Sequence, residues 1–122
     1  SLMQGLKQVK EGKTIRDISA AIQKFVEREK FSIVREFVGH GVGHAIHEEP
    51  RIPNYVDESL PRVDLKEGMV LAIETMITAG DPTTETLKDG WTAATKDKSL
   101  AAHFEVTVVV TKKGYEILTK IS

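Results

Sequence analysis

An α+β domain with a mainly antiparallel sheet is what this sequence predicts, on three observations. Behind Thr14, the residues Ile15, Ile18, Ile22, Phe25 and Val26 recur at helical spacing. Two stretches, 69–77 and 101–111, are rich in β-forming residues. Lys112-Lys-Gly114 is a turn signal, and with Tyr115–Leu118 beyond it the second stretch reads as a hairpin. A helix followed by strands of this kind belongs to the α+β class. A length of 122 residues suits one domain, 1–122, rather than two.

The elements follow in order. A short helix end is expected at the N-terminus, and Gln8 to Lys13 reads as a turn pivoting on Gly12. Thr14-Ile-Arg-Asp17 has the form of a capping box, which sets an amphipathic helix over 14–30. Phe31 to Val38 predicts a short strand. Gly39-His-Gly-Val-Gly43 reads as a glycine-rich turn, followed by a polar loop with Pro50, Pro53 and Pro61. Lys66-Glu-Gly68 is a turn ahead of the strand 69–77. Thr78 to Gly90 is polar and turn-rich, and Trp91 to Thr95 predicts another short strand.

Composition narrows the function classes. A net charge of −1 gives no electrostatic footprint for nucleic acid or an anionic membrane. No apolar run approaches the roughly 20 residues that span a bilayer. Ser1-Leu-Met-Gln4 does not read as a secretory leader. With no cysteine, any metal must be held by His, Asp or Glu, and a cytoplasmic location is expected.

Glu105 sits in the middle of an otherwise strand-like, apolar run. Ionised carboxylates are costly in an apolar interior unless paired or bound to a metal. Strand alternation places His103, Glu105, Thr107 and Val109 on one face. Phe104, Val106, Val108 and Val110 form the other, expected to be the core side. In 69–77, Val70, Ala72, Glu74 and Met76 oppose an apolar face of Met69, Leu71, Ile73 and Ile77. Both strands thus have an apolar back and a carboxylate in front. If they are neighbours, the carboxylates meet, and they repel unless a cation lies between them. The plainer reading is that each glutamate faces solvent, since such side chains are seldom fully buried.

The segment Gly39-His40-Gly41-Val42-Gly43 is the third unusual feature. Glycines there permit unusual dihedrals or a close backbone approach to a ligand. Imidazole is a common ligand for zinc, iron and related ions. The segment is not a phosphate loop, because no Gly-Lys-Ser/Thr follows. His40 and His44 are not a zincin pair, because no glutamate lies between them. An exposed histidine in a flexible turn is the ordinary alternative.

Three stretches together resemble the type I methionine aminopeptidases, metallopeptidases of the pita-bread fold. They are Gly39-His-Gly-Val-Gly-His-Ala-Ile-His-Glu-Glu-Pro50, Gly68-Met-Val-Leu-Ala-Ile-Glu-Thr-Met76 and Asp89-Gly-Trp-Thr-Ala-Ala-Thr-Lys-Asp-Lys-Ser-Leu-Ala-Ala-His-Phe-Glu105. The likeness continues to Glu116-Ile-Leu-Thr119, and Asp-Gly-Trp-Thr favours this family over its prolidase relatives. The resemblance implies half of a pita-bread, a curved and mainly antiparallel sheet backed by helix. It also implies removal of N-terminal methionine from peptides and nascent proteins. By the same resemblance, His40, Glu74 and Glu105 correspond to metal ligands, Glu105 bridging two ions and Glu74 also moving protons. His47 corresponds to a substrate-contacting histidine, and Ile46 and Trp91 to the wall of the methionine pocket. The implied cofactors are two divalent ions per complete site, of cobalt, manganese, iron or zinc. Such ions make water a nucleophile near neutral pH and polarise the scissile carbonyl.

The resemblance covers only the family's C-terminal half, without the two aspartate ligands and the second histidine of the other half. The chain alone is therefore expected to hold one ion weakly or none, and to be inactive without an N-terminal half. Thr75 stands where the family usually has proline, and Val106 where it usually has histidine. Two alternatives remain open at this stage. One is a non-catalytic half-fold that self-associates or pairs with another chain through exposed surface. The other is a separate metal-binding module.

Overall fold

The computed structural model describes residues 1–120. The helices are α1 (Leu2–Leu6) and α2 (Ile15–Arg28). The strands are β1 (Ser32–Ile33), β2 (Gly39–Gly41), β3 (Glu48–Ile52), β4 (Val70–Thr78), β5 (Thr84–Thr86), β6 (Ala93–Thr95), β7 (Ala101–Val110) and β8 (Tyr115–Ile117). The main sheet runs β3-β2-β4-β7-β8, wholly antiparallel, and β1 also pairs with β4. β5 and β6 form a separate hairpin. Among the described residues no helix is long and apolar enough to cross a membrane.

Thr14 starts α2 as the capping pattern requires. Its hydroxyl accepts from the Asp17 amide at 3.1 Å, and the Asp17 carboxylate accepts from the Thr14 amide at 2.8 Å. Ile15, Ile18, Ile22 and Val26 are buried, while Phe25 is half-buried with Arg28 lying 5.0 Å over its ring. Ile15, Ile18, Ile22 and Val26 share one core with Leu6 and Val9 and with Leu71, Ile73, Val108 and Val110 from the back of the sheet. Burial of such side chains is worth about 1.5–3 kcal/mol each.

Partial burial pushes the Asp17 carboxyl up, but bonds from the Thr14 hydroxyl and amide, with Lys13 and Arg62 nearby, hold it below the ordinary range. A carboxylate lowered by folding stabilises above its unfolded pKa, and that contribution disappears as pH falls through the folded value. Thr14→Ala should therefore cost about 1 kcal/mol at neutral pH. The gap from the parent in urea midpoint should narrow below about pH 4.

Four expectations are corrected. Residues 39–41 are a strand, not a turn, with a register shift between His40 and Gly41. Glycine serves here for close approach: a Cβ on Gly39 would strike the Ala72 carbonyl, and one on Gly41 the Glu49 carbonyl. The expected loop contains β3. Pro50 lies within it because β3 is an edge strand, where a missing N–H costs no ladder bond. The strand expected over 31–38 is only Ser32–Ile33. The back row of β7 is buried only at Val108 and Val110, and Phe104 is 67% exposed. β8 pairs with residues 108–110, and just beyond it the Leu118 amide donates to the Thr107 carbonyl at 2.8 Å, so among the described strands nothing pairs with the outer edge of 101–106.

Candidate metal centre

The site follows from register. Direct partners across an antiparallel pair share a face. β4 and β7 pair Glu74 with Glu105 and Met76 with His103, and β2 pairs His40 with Ala72. The front of the sheet therefore carries His40, Glu74, Glu105 and His103 across three adjacent strands. Glu74 lies between the two histidines. His40 Nε2 is 3.0 Å from Glu74 Oε1, and His103 Nε2 is 3.3 Å from Glu74 Oε2. His40 and Glu74 are largely buried, His103 half-exposed and Glu105 exposed.

The backbone around Glu74 is firmly held. The Asn54 side-chain amide donates to the Glu74 carbonyl at 2.6 Å, and Asn54 itself is buried. Thr75 is buried on the opposite face, its hydroxyl 3.5 Å from the Phe104 carbonyl. His40 Nδ1 lies 2.8 Å from the Gly41 carbonyl, which fixes a proton on that nitrogen. Nε2 then meets the Glu74 carboxylate favourably only when it carries a second proton or when a cation stands between them. The directly opposed Glu74 and Glu105 are likewise an unfavourable like-charge pair by themselves. Both features suit a divalent cation. The donor types, carboxylate and imidazole without thiolate, fit zinc, manganese, iron or cobalt.

Of the residues that the sequence singled out, the structure brings Glu74 beside His40 and opposite Glu105. His47 lies next to His40, ring centroids 4.3 Å apart. Ile46 and Trp91 stand apart from the core, 76% and 89% exposed. Trp91 lies on the turn of the β5–β6 hairpin. There Asp89 accepts from the Thr92 hydroxyl, and this bond, with those from the Trp91 and Thr92 amides, holds its carboxyl below the ordinary range. Two features were not anticipated. His103 completes a group with Glu74 and Glu105 in which one ligand atom of each lies within 4.8 Å of the others. An apolar cleft of about 230 Å³ opens beside His103, walled by Phe37, Met76 and Ala102 and not by Ile46 or Trp91. His103 was visible in the sequence as a face-mate of Glu105, but its approach to Glu74 depends on register.

Residues 1–112 match the metallopeptidase family M24. The chain is 54% identical over 119 residues to the methionine aminopeptidase of Escherichia coli, covering 98% of this chain and 45% of that protein. It is 51% identical over 122 residues to methionine aminopeptidase 1 of Bacillus subtilis, covering 99% and 48%. The crystal structure of methionine aminopeptidase from Thermotoga maritima superposes with a TM-score of 0.92 at 47% identity, over 98% of this chain and 48% of that one. The chain thus spans about half the length of the curated relatives it matches, and its helix-backed antiparallel sheet is half of a pita-bread fold. With the family matched along nearly all of its length, the chain belongs to metallopeptidase family M24.

Proposed function

We propose that this chain is the C-terminal half of a cytoplasmic, metal-dependent methionine aminopeptidase, removing N-terminal methionine from peptides and nascent proteins once joined to an N-terminal half. The observation that carries the reading is the opposition of Glu74 and Glu105 across β4 and β7, with His40 against Glu74. In this reading His40, Glu74 and Glu105 hold divalent metal. When bound, such ions supply Lewis acidity that polarises the scissile carbonyl and activates water. Glu74, enclosed and held by Asn54, carries a proton from the attacking water to the leaving amine. His47 touches the substrate, and Ile46 and Trp91 wall the methionine side chain once the second half closes over them.

Mixing this chain with the N-terminal half of a methionine aminopeptidase, plus manganese or cobalt, should release methionine from a short peptide. Neither half should do so alone. Two halves that associate, bind metal and release nothing would overturn the reading. Self-association is the second reading, favoured by the exposed apolar side chains of Phe104, Leu100 and Leu118 around β7 and β8. It predicts a dimer in sedimentation, and a monomer at high concentration removes it.

A further inference from the structure

We propose that His103 is itself a metal donor, so that β4 and β7 hold one divalent transition-metal ion between Glu74, His103 and Glu105, residues of this chain alone. The inference rests on the reading that Glu74 and Glu105 face metal, and it adds a ligand to which the family resemblance gives no role.

Geometry makes the first argument. Strand period two puts His103 and Glu105 on one face, and the antiparallel register sets Glu74 directly opposite Glu105. One ligand atom from each of the three lies within 4.8 Å of the others. Around a single zinc ion, donors at about 2.0–2.2 Å lie roughly 3.4 Å apart in a tetrahedron. The three groups must therefore draw in by about an ångström. Glu105 and His103 are both exposed enough to turn, while Glu74 is enclosed and stays in place.

Chemistry makes the second. As an ion pair, the His103–Glu74 contact at 3.3 Å is weakened by solvent around the half-exposed imidazole. It would also leave the opposed carboxylates uncompensated. With an ion present, the same three side chains become two anionic oxygens and one neutral nitrogen around a divalent charge. His40, 3.0 Å from the other Glu74 oxygen, stands on the opposite flank of that carboxylate. No residue from outside the chain is then required to hold the first ion.

The test uses the 122-residue chain itself. Zinc is titrated by calorimetry, and the imidazole ¹⁵N resonances are followed by NMR. One equivalent should bind, with His103 Nε2 moving as it binds. His103→Gln should weaken binding about 10–100-fold or more, at least the loss typical of a residue that only supports a ligand. Circular dichroism should show that this half-exposed position leaves the fold intact. Parent-like affinity in His103→Gln, with an unmoved His103 resonance, would overturn the inference. So would an absence of stoichiometric binding by the parent chain. Neither outcome bears on the peptidase reading, which is decided by methionine release from the two joined halves.

Discussion

Glu74→Gln should remove most of the rise in melting temperature expected when a divalent ion binds the parent chain. Ligand bound only by the folded state at about 100 times its Kd stabilises by about 2.7 kcal/mol. For a domain of this size that is roughly 10 °C. Glu74 stands in the middle of the candidate ligands, with His40 on one oxygen, His103 on the other and Glu105 opposite it across the strand pair. Losing a group that merely supports a ligand costs up to about 100-fold in affinity, which is a floor for the ligand itself. At that floor the same ion concentration stabilises by only about 0.4 kcal/mol, so the gain should shrink to roughly 2 °C or less. Glutamine keeps the size and the strand geometry, so the metal-free melting temperature separates folding from binding. Glu67→Gln is the control, an exposed carboxylate whose partner is Lys112 at 3.8 Å, and it should keep the full gain. A Glu74→Gln chain that still rises with the parent would remove this carboxylate from the list of ligands.

Elements whose signal is local were readable from the sequence. The capping box and the isoleucine spacing placed α2 within two residues of its observed end at Arg28. Alternation in β4 and β7 correctly separated Leu71, Ile73, Val108 and Val110 from Glu74 and Glu105. The failures share a physical cause, which is dependence on neighbours. Gly39-His-Gly41 has turn composition and becomes a strand because β3 and β4 approach too closely for a Cβ. Pro50 reads as loop and is tolerated because β3 lies at an edge. Phe104 fits an apolar row yet is exposed, since alternation says which way a side chain points and not whether anything covers it.

The candidate site was legible to the same degree. The residues themselves announced their oddness: two carboxylates on mixed faces and a histidine among glycines. Which of them touch is a matter of register, and a shift of one residue between β4 and β7 would have placed Glu74 and Glu105 on opposite faces. His103 escaped notice for that reason. Its partner is two residues along a strand 29 positions away, by the pairing of Met76 with His103 and Glu74 with Glu105.

Gly41→Ala should be among the most damaging single-methyl changes in the chain, and it should weaken metal binding as well as folding. The added Cβ would meet the Glu49 carbonyl, with the Glu49 carbonyl carbon at 2.8 Å and the Glu48 oxygen at 3.1 Å. These are backbone atoms of β3, so no side chain can swing aside. Overpacking of this kind costs about 1–3 kcal/mol, and backbone on backbone belongs at the upper end, near 10 °C in melting temperature. Relieving the clash must part β2 from β3, and β2 carries His40, whose ring is placed by its own bond to the Gly41 carbonyl. Displacing that carbonyl turns Nε2 away from Glu74, so affinity should fall even at temperatures where the variant remains folded. Gly12→Ala provides the contrast. Gly12 has a φ of +83° and nothing within 4 Å of an added Cβ. It should cost about 1–2 kcal/mol through left-handed backbone strain alone and leave metal affinity unchanged. If both variants lose stability and neither loses affinity, glycine at 41 serves the sheet and not the histidine. If only Gly41→Ala loses affinity, the close packing of β2 between β3 and β4 is what aims His40 at its neighbours.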